Sequence, residues 1–118
     1  MLVKAINITR NQVLAEQVKL AKTFFMRLRG LLFTECLPVG HGLLIQPCNS
    51  IHALGMVYSI DAIFLDKENK VVGTLSNFQP WQVSSIYFKA ASCLELPSST
   101  IIKSGTTLGD HLEFSSFN

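Results

Sequence analysis

Residues 60 to 66, IDAIFLD, limit what this chain can fold into more than any other stretch. From Ile60 to Leu65 every position except Asp61 is apolar, so an extended segment here leaves neither face for water. A strand that reads apolar on both sides belongs in the middle of a sheet covered on both faces. Asp61 must then be buried with it. A carboxylate in such surroundings costs on the order of several kcal/mol unless it is paired or hydrogen-bonded. Two answers stand open: a structural role, as an ion pair or an acceptor of backbone N–H groups at a turn, or the floor of a binding pocket.

The segments around that strand read mostly as further strands. LVKAINI at 2–8 partly alternates, Thr9 to Gln12 supply a turn, and VLAEQV at 13–18 pairs back as a hairpin. GLLIQ at 42–46 is a short strand that stops at Pro47. DKENK at 66–70 is a charged turn, KVVGTLSNF its hairpin partner, and ASCLELP at 91–97 and HLEF at 111–114 are strands. In ASCLELP the alternation turns Glu95 to solvent, and Asp110 after Gly109 reads as a turn residue. SSTIIKSG predicts one helical turn capped by Ser98 or Ser99 and closed by Gly105. Leu20, Phe24, Leu28, Leu31 and Leu32 recur at helical spacing and predict the main packed helix at about 20–34. Residues 76–89 are the least regular and carry Phe78, Trp81, Tyr87 and Phe88, either as a lid or as a cover for the sheet.

Composition agrees with one self-sufficient core. The 118 residues are 48% hydrophobic and 15% charged. A chain of that length removes about two thirds of its unfolded surface from water. A net charge of +2, with no basic stripe interleaved with aromatics, gives no basis for nucleic-acid binding. No run of eighteen apolar residues predicts a membrane span, and the first residues lack the apolar centre of a signal peptide. Three cysteines without an export signal suit reduced thiols in the cytoplasm.

Several pieces in order then point to a family. GLL at 30–32 follows the arginine-bearing helix, and GLLIQPCNSIHALGM leads into SIDAIFLD, a charged turn and KVV. A strand ending LELP follows, then Gly105, Gly109, Asp110 and Leu112. From about residue 20 to residue 114 this resembles the small bacterial and archaeal family called domain of unknown function 192. It is similar to the branch with a Pro-Cys-x-Ser-Ile-His signature, here Pro47, Cys48, Ser50, Ile51 and His52. Two positions depart: Ala53 stands where Thr usually follows the His, and Ser59 where Pro commonly precedes the Ile-Asp pair. The resemblance implies a compact β-rich fold with one packed helix and no established activity.

The polar residues near the signature admit three chemistries. Cys48, Ser50 and His52 alternate, which faces them one way in an extended segment and sets a thiol beside an imidazole. Asp61 would orient the imidazole, making a nucleophile, base and orienter set. Cys36, His41, Cys48 and His52 together offer four zinc-type ligands at loose spacing, and no metal site is assigned on them. The third chemistry is binding alone, with Arg27 or Arg29 reaching across the sheet toward Asp61.

The sequence therefore predicts a single α+β domain over residues 1–118, mostly β and barrel-like, with one main packed helix. The expected function is a cytoplasmic, non-catalytic binding or accessory module without a cofactor. Its face carries Ser50, His52, Asp61 and Arg27, and its partner is a small molecule or a protein. A thiol-dependent hydrolase or transferase using Cys48 and His52 is the alternative.

Overall fold

The structure, a computed structural model, describes residues 2–23, 26, 30–31 and 34–116. The opening hairpin forms as the sequence predicts. β1 (Leu2–Asn7) and β2 (Gln12–Ala21) pair antiparallel, with Asn7 opposite Gln12. Asn11 turns the chain at φ 55°, a left-handed conformation that Asn tolerates better than most residues. β2 runs further than expected, through Leu20 and Ala21, so the predicted helix cannot begin at residue 20. Ala21 is fully buried and pairs with Ile45 of the next strand, and that pairing outweighs the helical periodicity. Beyond it, the Thr23 hydroxyl accepts the Met26 N–H, Met26 is helical, and the Gly30 N–H donates to the Met26 carbonyl. Gly30 then adopts φ 50°. The remainder of the predicted helix, including Arg27 and Arg29, lies outside the described residues.

β3 (His41–Ile45) lies parallel to β2, and a parallel neighbour needs a crossover of about a dozen residues or more, which 22–40 supply. The other neighbouring pairs are antiparallel. β4 (Ile60–Leu65), β5 (Val71–Phe78), β6 (Ser92–Pro97) and β7 (Leu112–Ser116) complete a seven-stranded sheet ordered β5-β4-β6-β3-β2-β1-β7. All six residues of β4 are buried, as an apolar run between β5 and β6 requires. The β4–β5 turn is shaped by Asp66, whose Oδ1 accepts the N–H groups of Glu68 and Lys70, with Asn69 at φ 61°. Those bonds hold the Asp66 carboxyl below its ordinary range.

The sheet curls until its two edges touch at one end, giving a half-barrel. Lys70 and His111 bridge the edges, the Val71 N–H donates to the Asp110 carbonyl at 2.8 Å, and the Leu112 N–H to the Asn69 carbonyl at 2.9 Å. The core inside the curl draws on every strand: Val3, Leu14, Val18, Leu44, Ile63, Leu65, Val71, Leu94, Leu96 and Leu112. Ile101 plugs it from α1 (Thr100–Ser104). Gly105 ends α1 at φ 72°, as predicted. The cap differs: Ser99 holds the N-terminal position without a side-chain bond, and Asp61 of β4 caps the helix from across the core.

Candidate functional site

The outer face of the half-barrel carries the chemistry. In β6, Cys93 pairs with Phe64 and Glu95 with Ala62, and on the other side Glu95 pairs with Leu43 of β3. Partners in register point to one face, so Cys93 and Glu95 stand outward among Phe64, Ala62 and Leu43. The chain covers them with two segments that hold each other by main-chain bonds. The Ala53 N–H donates to Gln82 at 2.8 Å, Ser84 to Ile51 at 2.9 Å, and Tyr87 to Asn49 at 2.8 Å. Beneath them Ile51, Ala53, Met56, Phe78 and Cys93 form a second core with Cys48, Tyr58 and Tyr87. Tyr87 stacks on Phe64 at 4.1 Å between ring centroids.

Glu95 lies under this cover and is only 4% exposed, not turned to solvent as its alternation predicts. Alternation fails because both faces of β6 are covered. Among the described residues nothing hydrogen-bonds its carboxyl, and burial, followed by the neighbouring Cys48, pushes its pKa up to about 8. The carboxyl is therefore mostly protonated at pH 7. Tyr58 sits near it, its hydroxyl 2.7 Å from the Thr34 hydroxyl. Burial raises the Tyr58 pKa, against the bond to Thr34, and Glu95 and Cys36 add to the rise. The Cys93 thiol is pushed well up by burial and then by its hydrogen-bonded neighbour Cys48. Cys48 is half-buried, and its thiol donates to the Ser50 carbonyl at 3.1 Å.

These placements correct the expected site. Asp61 pairs with Leu96 and so stands on the inner face, opposite the face covered by the Cys48–Tyr58 segment. It is fully buried; its Oδ1 accepts the Asn77 N–H and its Oδ2 the Ile101 N–H, each at 2.8 Å. Asp61 thus cannot join Ser50 and His52 on one surface or orient that imidazole. Ser50 and His52 are both exposed, and the His52 Nδ1 accepts the Leu54 N–H at 3.2 Å. Cys48 turns inward while they turn out, so the alternation does not put all three on one side. Among the described residues no three of His, Cys, Asp and Glu come together as metal ligands, which leaves the loose zinc spacing without support. The sequence reading missed Glu95; the signal was the run from Cys93 to Leu96, apolar on both faces like β4.

The family's sequence model, described as an uncharacterized ACR, matches residues 5–114. The chain belongs to the domain of unknown function 192 family. A UPF0127 protein of Thermococcus sibiricus is 36% identical over 92% of this chain and 73% of its own length. One from Pyrococcus furiosus is 30% identical over 92% and 96%. Two solved structures share the fold, each with a TM-score of 0.81 at 21% identity. A protein of unknown function from Novosphingobium aromaticivorans is matched over 96% of this chain and 84% of that one. A protein from Sinorhizobium meliloti, described as a candidate transcription regulator, is matched over 95% and 91%.

In this member of the family, both departures from the usual pattern have a physical setting. Ala53 is fully buried and bonded through its main chain to Trp81 and Gln82, so its methyl fills a place where a threonine hydroxyl would need a partner. The Ser59 hydroxyl lies 3.1 Å from that of Ser98. The covering segments also present what a core does not need. Trp81 is 68% exposed, Val83 66% and Phe88 88%, with Leu54, Val57 and Ile86 also exposed. His52 and Val83 are bridge partners in the close, non-hydrogen-bonded arrangement, which sets their side chains side by side.

Proposed function

We propose that this protein is a non-catalytic module that binds an apolar segment of another polypeptide. The binding surface is the one made by His52, Leu54, Trp81, Val83 and Phe88, with Ser50 at its polar rim. The observation that carries this reading is the exposure of Trp81 and Phe88 on the covering segment that pairs, through Val83, with exposed His52 of the other. Exposed aromatics gathered on one piece of surface mark interaction sites more often than chance, and aromatics dominate binding energy where they are buried by a partner. Phe78 and Tyr87, from the same loop, already serve the outer core, so the loop divides its aromatics between cover and surface.

The thiol hydrolase reading draws no support from the neighbours of its two residues. Among the described residues, the neighbours seen at Cys48 are a carboxyl, a second thiol and a carbonyl, and none of these three is the kind of cationic group that activates a thiolate. The cytoplasm belongs to the same proposal: no disulfide joins the three cysteines, and no helix among the described residues is long and apolar enough to cross a membrane.

Peptide selection from a random display library tests the reading. Enriched peptides should carry aromatic or aliphatic anchors, and calorimetry should show affinity falling by ~10-fold or more in W81S and in F88S. Both variants should unfold at the wild-type temperature. No enrichment, or peptides indifferent to both substitutions, overturns it.

A further inference from the structure

We propose that Cys48 and Cys93 are a dithiol site that closes to an intramolecular disulfide by exchange with a low-molecular-weight disulfide. Chain geometry brings the two together. Ile45 at the end of β3 pairs with Cys93, and the chain continues along β6 until the Cys48 N–H donates to the Ala91 carbonyl at 3.1 Å. Both side chains enter the outer core and pack in the same apolar cluster.

Their unequal exposure sets the order of events. Cys93 is fully buried, so an external disulfide reaches it only through half-buried Cys48. The Cys48 sulfur, having lost its proton, attacks one sulfur of the incoming disulfide. This forms a mixed disulfide and expels one thiolate, which takes up a proton. The Cys93 sulfur then attacks the Cys48 sulfur, breaks the mixed bond and releases the second small thiol, which carries away the Cys93 proton. Two electrons pass from the protein dithiol to the small disulfide, and two small thiols leave. In a reducing compartment the pair stays open, so the site responds only when the thiol pool becomes oxidised. Cys36 is exposed, so it is replaced in the test to leave the pair alone.

The test uses the full chain carrying C36S and oxidised glutathione as the probe. Intact mass should show loss of two hydrogens without a retained glutathione, and peptide mapping should place the bond between Cys48 and Cys93. The C36S/C93S chain should instead hold one glutathione on Cys48, and C36S/C48S should take up none. A glutathione that stays on Cys48 in the C36S protein, or no reaction at all, overturns the proposal. If either double variant fails to fold, the mapped bond in C36S alone decides.

Discussion

Asp61 and Ile101 stand 40 positions apart in sequence, and the Asp61 Oδ2 accepts the Ile101 N–H at 2.8 Å. A buried strand lying next to the edge strand β5 thereby supplies the cap that α1 lacks locally, because Ser99 makes no side-chain bond to it. The other carboxylate oxygen holds the Asn77 N–H near the end of β5. Replacing Asp61 with Ala orphans both donors and should cost about 3 kcal/mol or more. D61N keeps acceptor oxygen toward one donor and should cost less. Urea unfolding measures both, and amide exchange should quicken at Ile101 and Asn77 before it does elsewhere.

Glu95 gives the protein an unusual pH profile. Its folded pKa, raised to about 8, exceeds the unfolded value of about 4.3, so the folded state binds the extra proton between them. Stability should therefore fall as pH rises from about 4.3 to 8, by up to about 1.4 kcal/mol per pH unit, and level off above that. The E95Q chain should lose this slope and unfold at higher denaturant than wild type at pH 8. A wild-type midpoint that stays constant from pH 5 to pH 8 would contradict this account.

Asp110 works in the opposite direction. Burial alone would raise its pKa, but Arg10 at 2.8 Å, Asn7 at 3.0 Å and the Thr107 N–H at 3.1 Å all donate to its Oδ2, and the net result is a lowered value. A depressed carboxyl stabilises the fold above its unfolded pKa of about 3.9, and that contribution disappears as pH falls through the folded value. D110N should be destabilised by about 1–3 kcal/mol at pH 7. The gap to wild type should narrow steadily below pH ~4 in acid-unfolding curves.

Gly73 in β5 tests how the outer cover is seated. A Cβ at this position would run into the Tyr87 ring, which packs over Gly73 and its strand partner Phe64. G73A should cost about 1–3 kcal/mol by overpacking. Pairing it with Y87A should recover part of that loss, which a double-mutant cycle would show as a coupling between the two sites.

The parts of the fold visible in the sequence were those whose causes are local. The two-sided apolar run of β4, the Asp66–Lys70 turn and the Gly105 stop each depend on a few adjacent residues. What stayed hidden depended on remote partners. The cap on α1 comes from β4, so no reading of SSTIIKSG could supply it. Asp110 reads as a turn residue until Asn7 and Arg10 arrive from the other end of the chain. Of the candidate site, the exposure of Ser50 and His52 agrees with an accessible surface, whereas Asp61 was misplaced because spacing says nothing about which face a separate strand presents. Glu95 was misread because alternation marks one wet face only when nothing lies on it.

The order of strands also carries a cost in time. β1 lies between β2 and β7, with Val3 opposite Ser116, so the first strand made is completed only by the last. Until β7 docks, β1 keeps an open edge and the core inside the curl lacks Leu112. Pairings of such long range delay folding toward the millisecond-to-second regime, about 1 ms to 1 s, typical of β topologies. On the ribosome β1 must carry that unpaired edge until β7 emerges, a period in which it is open to capture by any other extended chain.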